Sequence, residues 1–315
     1  MFDQLDPRDR DGDPREIDMP WVSLGRGPAS DRGDDGSQDG EDARRDRGRD
    51  SRGRDRDARD VFLDHVDLPR ELDREVVFDR DDRYELNGDE SRSLATVGAF
   101  RVVAERDIGG SRGEPSRSSR SLAHLGDQKL VRFVSLDGRD RAVTLTKSGR
   151  HLLEAHRRHR DDTRSQAFYA DASRPRERSH DAQLYRAYRR EAKRLKNEGA
   201  DIGRIVLEQD LKREYQQWLQ DHNRGRADSD GRPDRDPREI AEWAREHHLP
   251  CSGGSVDFPD FRMEYQVNGL EQHLDVELVT PHYRGAHAAS RAGFSCHNSQ
   301  RGGRTPDPDL AADFV

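Results

Sequence analysis

The chain has 315 residues, of which 38% are charged and 30% hydrophobic, with a mean hydropathy of −1.18. So little apolar material excludes a membrane-spanning helix, which needs roughly 20 consecutive apolar residues, and limits how much of the length can form a core. Two cysteines, Cys251 and Cys296, exclude a disulfide framework, and the N-terminus lacks a signal peptide's charged-then-apolar plan, so a cytoplasmic protein is expected.

The net charge of −8 averages over unlike parts. Residues 1–60 carry 13 basic and 18 acidic residues, and residues 61–100 carry 5 and 11. Residues 101–225 reverse the balance with 28 basic against 19 acidic, and residues 226–315 return to 10 against 16. A basic middle inside an acidic chain leaves a nucleic-acid partner open, although the total charge argues against one. Basic character is almost wholly arginine; the five lysines are Lys129, Lys147, Lys193, Lys196 and Lys212.

Residues 1–60 contain the low-complexity stretch DARRDRGRDSRGRDRDARD and read as a disordered region. Residues 61–90 read as an extended lead-in, with a turn at Asn87-Gly88. From Ser91 the spacing turns helical, with Ser93 as N-cap and Leu94, Val97, Phe100 (or Arg101) and Ala104 recurring at three and four. The Gly/Ser-rich patch 109–119 follows, then an amphipathic run with Leu122, Leu125 and Leu130. Two alternating strands, LVRFVSL and RAVTLT, meet at Asp137-Gly138, and a helix opens after Thr146. That order predicts a winged-helix domain over 91–157.

In such a domain the second amphipathic helix enters the major groove and the hairpin reaches the backbone. The expected groove-facing residues are Arg117, Arg120, Ser121, His124 and Gln128, and the expected wing contacts are Arg139 and Arg141. Double-stranded DNA is the implied partner, since the arginine fork suits phosphates and guanine edges. The glycine-serine patch stands where the helix before the recognition helix is expected. Solvated arginines on a dimerisation module are the competing reading.

A linker over 158–178 leads to an α/β domain over 179–297, and a mobile tail over 298–315 is expected. Its first helix is capped by Ser179 and turns Leu184, Tyr188, Glu191 and Leu195 inward. A strand at 204–207, a helix carrying Leu211, Tyr215, Trp218 and Leu219, and a helix opened by Asp236-Pro237 follow. The most informative stretch is a hairpin at 259–280 turning on Asn268-Gly269. Its register puts Phe261, Met263, Tyr265 and Val267 on one face and Asp260, Arg262, Glu264 and Gln266 on the other. On the polar face Asp260 lies opposite Glu277, with Asp275 beside them.

Opposed carboxylates need neutralising, and a Mg²⁺ ion held by Asp260 and Glu277 would do so. Pro259-Asp260 followed by Asp275-Val276-Glu277 resembles the Pro-Asp … (Asp/Glu)-x-Lys pattern of restriction-endonuclease-like nucleases, with Asp260, Asp275 and Glu277 as the catalytic candidates. The lysine position, however, holds Glu277 or Val279. A solvated sheet face with an Arg262–Asp275 ion pair is the plainer alternative. His247, His248, Cys251, Cys296 and His297 lack zinc-ligand spacing.

Residues 94–294 resemble the replication-relaxation family of plasmids and other mobile elements. The likeness is carried by LATVGAFRVV, LVRFVSLDGRDRAVTLTKSGRHLLE, SHDAQLYRAY with His180-Asp181, LEQDLKREY and PDFRMEYQVNG…LDVELVTPHYRGAH. The resemblance implies an α+β chain in which a winged-helix domain is followed by a restriction-endonuclease-like α/β domain, with a part in plasmid replication and DNA relaxation. Three readings follow. The leading one is a DNA-binding protein whose nuclease-like domain does not catalyse; the others are a Mg²⁺-dependent nicking enzyme and a module recruiting a relaxase or replication partner. No membrane partner is expected.

Overall fold

The computed structural model describes residues 57–108, 115–136, 140–158, 165–171, 174–175, 177–221, 235–279 and 293–298. All of them belong to one compact unit, Asp50–Val315. The expected disorder before residue 57, residues 109–114 of the glycine-serine patch, the Asp137-Gly138 turn, Arg139 and the tail beyond Asn298 lie outside the described residues. The fold is mixed α+β.

The stretch expected as an extended lead-in holds a short helix and a hairpin instead. Helix α1 (Asp60–Leu63) buries Phe62 and Leu63 completely. Strands β1 (Glu75–Asp79) and β2 (Asp82–Leu86) pair antiparallel about Arg80, which takes φ 54°. Helix α2 (Gly88–Phe100) starts earlier than the hydrophobic spacing predicts. Asn87, expected in a turn, is its N-cap, accepting from Glu90 N at 3.0 Å while Glu90 Oε2 accepts from Asn87 N at 3.0 Å. Gly88 is required by close approach, since a Cβ there would meet Arg70 O at 2.0 Å. Ser93, expected as the cap, lies inside the helix and donates to Asp89 O at 2.7 Å.

A short strand β3 (Val103–Ala104) and a 3₁₀ turn (Glu105–Asp107) then precede helix α3 (Pro115–Asp127). Strands β4 (Val131–Ser135) and β5 (Arg141–Leu145) form the expected hairpin, and β5 also pairs with β3, giving the order β3-β5-β4. Helix α4 (Lys147–Ala155) opens as expected at Thr146, whose hydroxyl accepts from Gly149 N at 3.1 Å, and it buries Leu152 and Leu153.

Helix α5 (Arg178–Asn197) buries Leu184, Tyr188, Glu191 and Leu195, as the spacing predicts. Strand β6 (Asp201–Leu207) and helix α6 (Glu208–Asp221) follow. Helix α7 (Pro237–Glu246) has Pro237 in its first turn and a capping box of Asp236 with Glu239. A small hairpin, β7 (Cys251–Ser252) with β8 (Ser255–Val256), was not legible in the sequence. Strands β9 (Phe261–Val267) and β10 (Leu270–Val279) pair in the expected register, Phe261 facing Val276 and Val267 facing Leu270. Asn268 and Gly269 both take positive φ, 53° and 76°, as a two-residue turn with the strands' own twist requires. Strand β11 (Ser295–Asn298) runs parallel to β10 and completes a sheet ordered β11-β10-β9-β6.

One apolar cluster runs from Val61 to Leu278. Its centre is Phe100 at the end of α2, whose ring lies 5.4 Å from Phe62, 5.2 Å from Tyr185, 5.3 Å from Tyr188 and 6.3 Å from Phe261. Within the expected linker, Phe168 is buried, and Gln166 bonds the backbone of Ile205 through both ends of its amide, at 3.0 and 3.1 Å. A second cluster gathers Trp243, Ala244, Leu249 and Val256 with Tyr215 and Trp218. No helix among the described residues is long and apolar enough to cross a membrane.

Candidate functional site

The polar face of the β9–β10 hairpin divides its charges between two jobs. Arg262 Nε donates to Asp275 Oδ1 at 2.6 Å and Nη2 to Oδ2 at 2.8 Å, with both residues 7% exposed. The same guanidinium donates to the carbonyls of His247 and His248, at 2.7 and 3.0 Å, where α7 ends. The Arg262–Asp275 pair expected on a solvated face is therefore buried and bidentate, and both Asp275 oxygens are engaged.

Asp260 and Glu277 do meet, as the register predicts, but backbone amides and a cation settle their charges. Asp260 N donates to Glu277 Oε2 at 3.2 Å, and Leu278 N donates to Asp260 Oδ2 at 2.6 Å. The other Asp260 oxygen lies 3.3 Å from His180 Nε2, while His180 Nδ1 lies 3.5 Å from Asp181 Oδ1. Contacts with Asp181, then with Asp260, outweigh burial and push the imidazole up to about 10, so it is a cation at neutral pH. Asp181 Oδ2 is buried with no hydrogen-bond partner, and Arg101 Nη1 stands 3.8 Å from it. Arg101 closes α2 in a left-handed conformation, φ 66°.

These residues fit a divalent cation poorly. Asp275 is held by Arg262, and an ion at Asp260 would meet the His180 imidazolium. Among the described residues no group of three or more His, Cys, Asp or Glu is placed to hold a metal. The zinc-type residues are likewise dispersed: His247 Nδ1 bonds Trp243 O at 2.7 Å, and His297 bonds Glu191 at 2.8 Å.

The expected DNA-facing residues separate in the same way. His124 Nδ1 lies 2.9 Å from the buried Glu90, and Gln128 bonds both backbone groups of Glu85, at 2.7 and 3.0 Å. These two turn toward α2 and β2, not outward. Arg141 makes a two-point bond to Glu105, at 2.9 and 3.0 Å, with its guanidinium 4.8 Å above the Phe133 ring. Arg120 is exposed on α3 and Ser121 is half-buried beside it, while the side chain of Arg117 lies outside the described residues.

His180, Asp181 and Arg101 were not among the expected site residues. The His-Asp pair in the first turn of an amphipathic helix was a readable signal, because such a pair can reach the end of a neighbouring sheet. Nothing in the sequence singled out Arg101. Comparison with protein-family models, curated proteins and solved structures found no match.

Proposed function

We propose that the chain is a DNA-binding protein of the replication-relaxation kind, serving a plasmid or mobile element. In this reading α2 to α4 form a winged helix, and α5 to β11 form a restriction-endonuclease-like domain that does not catalyse. The observation that carries it is the order α2, β3, α3, β4, β5, α4 with β5 between its neighbours, an order compatible with a winged helix, together with the exposure of Arg120 on α3. The excess of 28 basic over 19 acidic residues across 101–225 supplies the charge for phosphate contact.

The inactive character is supported by the Arg262–Asp275 pair and the His180 cation beside Asp260, which leave no open carboxylate pair. Titrating duplex DNA from about 50 to about 200 mM salt tests the binding reading, with affinity falling steeply as salt rises. A protein with no salt-dependent affinity at the low end is not a DNA-binding protein. Supercoiled plasmid incubated with Mg²⁺ or Mn²⁺ tests the rest. Nicking that disappears in Asp260→Ala would assign catalysis to the hairpin instead.

A further inference from the structure

Helix α5 sorts its charges by side. It carries seven Lys and Arg residues against two acids, and both acids, Asp181 and Glu191, are buried. None of the seven cations is buried. Leu184, Tyr188 and Leu195 turn one face to the core, so the opposite face presents cations without acids.

Three of those cations line up. Arg186, Arg190 and Lys193 recur at four and three residues on one side of the helix, with Arg189 beside them. Arg186 Nε donates to Asp107 Oδ2 at 2.5 Å, and Arg189 Nη1 donates to the Asp107 carbonyl at 3.4 Å. Arg190 and Lys193 are both exposed and have no partner among the described residues.

Like charges three and four residues apart repel, so such a row costs helix stability. The neighbouring helices avoid that cost. On α6 Lys212 pairs with Glu208 and Arg213 with Asp210, and on α7 Arg245 pairs with Glu242, each about one turn away. Acids are plentiful in the chain, 64 against 56 basic residues, yet none stands on the outer face of α5 between Arg186 and Lys193. Solvation alone does not account for a row that repels itself where acids were available to break it.

The row begins at the 3₁₀ turn Glu105–Asp107, where Glu105 accepts from Arg141 of β5 at 2.9 and 3.0 Å. At that turn the guanidiniums reach further into solvent than the carboxylates. Arg141 and Arg186 are 59% and 28% exposed, against 19% for Glu105 and 15% for Asp107.

A linear row selects a repeating anion. A lone phosphate needs donors converging on one point, and a partner helix needs apolar anchors, which this face lacks. From Arg186 to Lys193 the helix rises about 10 Å, the axial advance of roughly three phosphates along one strand. We propose that the outer face of α5 is a second DNA contact, in which Arg189, Arg190 and Lys193 hold the phosphate backbone of a duplex. The proposal rests on the DNA-binding reading above and adds to it a surface outside the winged helix.

Duplex affinity of the full chain, from about 50 to about 200 mM salt, is compared for the parent, Arg190→Gln/Lys193→Gln and Lys212→Gln/Arg213→Gln. The last removes the same charge from α6, where acids already compensate it. The α5 variant should bind about tenfold more weakly at about 50 mM salt, and its slope of log affinity against log salt should fall by about 2. The α6 variant should keep the parent's slope. In urea the α5 variant should be no less stable than the parent, because it relieves repulsion, so weaker binding reads as lost contact and not lost fold. Polyglutamate at equal charge should not displace the duplex.

A parent that binds, with affinity and slope unchanged in the α5 variant, overturns this surface and leaves the DNA-binding reading standing. A parent with no salt-dependent affinity overturns both. An equal loss in the α6 variant assigns the effect to net charge and overturns the surface. Displacement by polyglutamate overturns the choice of DNA and marks an acidic protein as the partner.

Discussion

Arg262 and Asp275 face each other across β9 and β10 in a buried, two-point ion pair, and the same arginine closes the C-terminal end of α7. Sequence patterning placed the two residues opposite one another but put them at a wet surface, where such a pair contributes well under about 1 kcal/mol. Burial changes the sign of the argument. Removing either partner strands the other charge, so Asp275→Ala should lower stability by about 3 to 5 kcal/mol in urea denaturation. Arg262→Ala should lose more than Asp275→Ala, because it also leaves two helix-end carbonyls without donors. A loss below about 1 kcal/mol for both would show the pair to be solvent-screened.

The cation at His180 makes stability depend on pH in a defined direction. Its folded-state value, about 10, lies above the ordinary 6.5, so the stabilisation is complete below 6.5 and is lost as pH rises through about 10. His180→Gln should therefore be less stable than the parent at pH 6, with the deficit shrinking as pH approaches 10. Denaturation curves at three pH values between these limits measure it. A deficit that grows with pH contradicts the Asp181–His180–Asp260 arrangement.

Glu191 gives the opposite dependence. Burial raises its carboxyl, but hydrogen bonds with His297 and Arg194 outweigh that, and the group lies lowered to about 2. Its contribution is present above the ordinary 4.5 and disappears as pH falls toward 2. Because His297 and Ser295 reach Glu191 from β11, Glu191→Gln should loosen that edge strand first. Hydrogen exchange of the β11 amides at pH 7 and at pH 3 tests this, with faster exchange in the variant expected at pH 7 and a smaller difference at pH 3.

Much of this architecture was legible. The hairpin register, both turn residues, the Thr146 and Asp236 caps and the inward face of α5 all follow from short-range rules that read correctly. What was missed depends on contacts distant in sequence. Asn87-Gly88 has the composition of a turn, and only Glu90 three residues on distinguishes a cap. Strands β3 and β7 are two residues long, too short for any periodicity to show. Strand β11 exists because β10 offers it an edge, and the stretch itself has no alternation. His124 and Gln128 sit on the helix expected to face DNA, yet Glu90 of α2 claims the first and the backbone of Glu85 in β2 the second.

On the proposed DNA-binding reading, Arg120 is the exposed arginine described on α3 and the one placed to meet a phosphate. Arg120→Ala should weaken duplex affinity uniformly across sequences and lower the slope of log affinity against log salt by about 1. Arg141, already bonded to Glu105, should matter less. Filter binding at four salt concentrations separates the two, and an unchanged slope in Arg120→Ala would remove α3 from the DNA interface.

Phe100 sets the mechanical character of the described unit. One ring at the end of α2 touches α1, α5 and β9 together, so the residues around α3 share their interior with the four-stranded sheet. Cutting the chain near residue 160 would open an aromatic wound on both pieces. Through that shared interior α3 and the β9–β10 hairpin are joined, and a void opened at Phe100 would be felt at both at once.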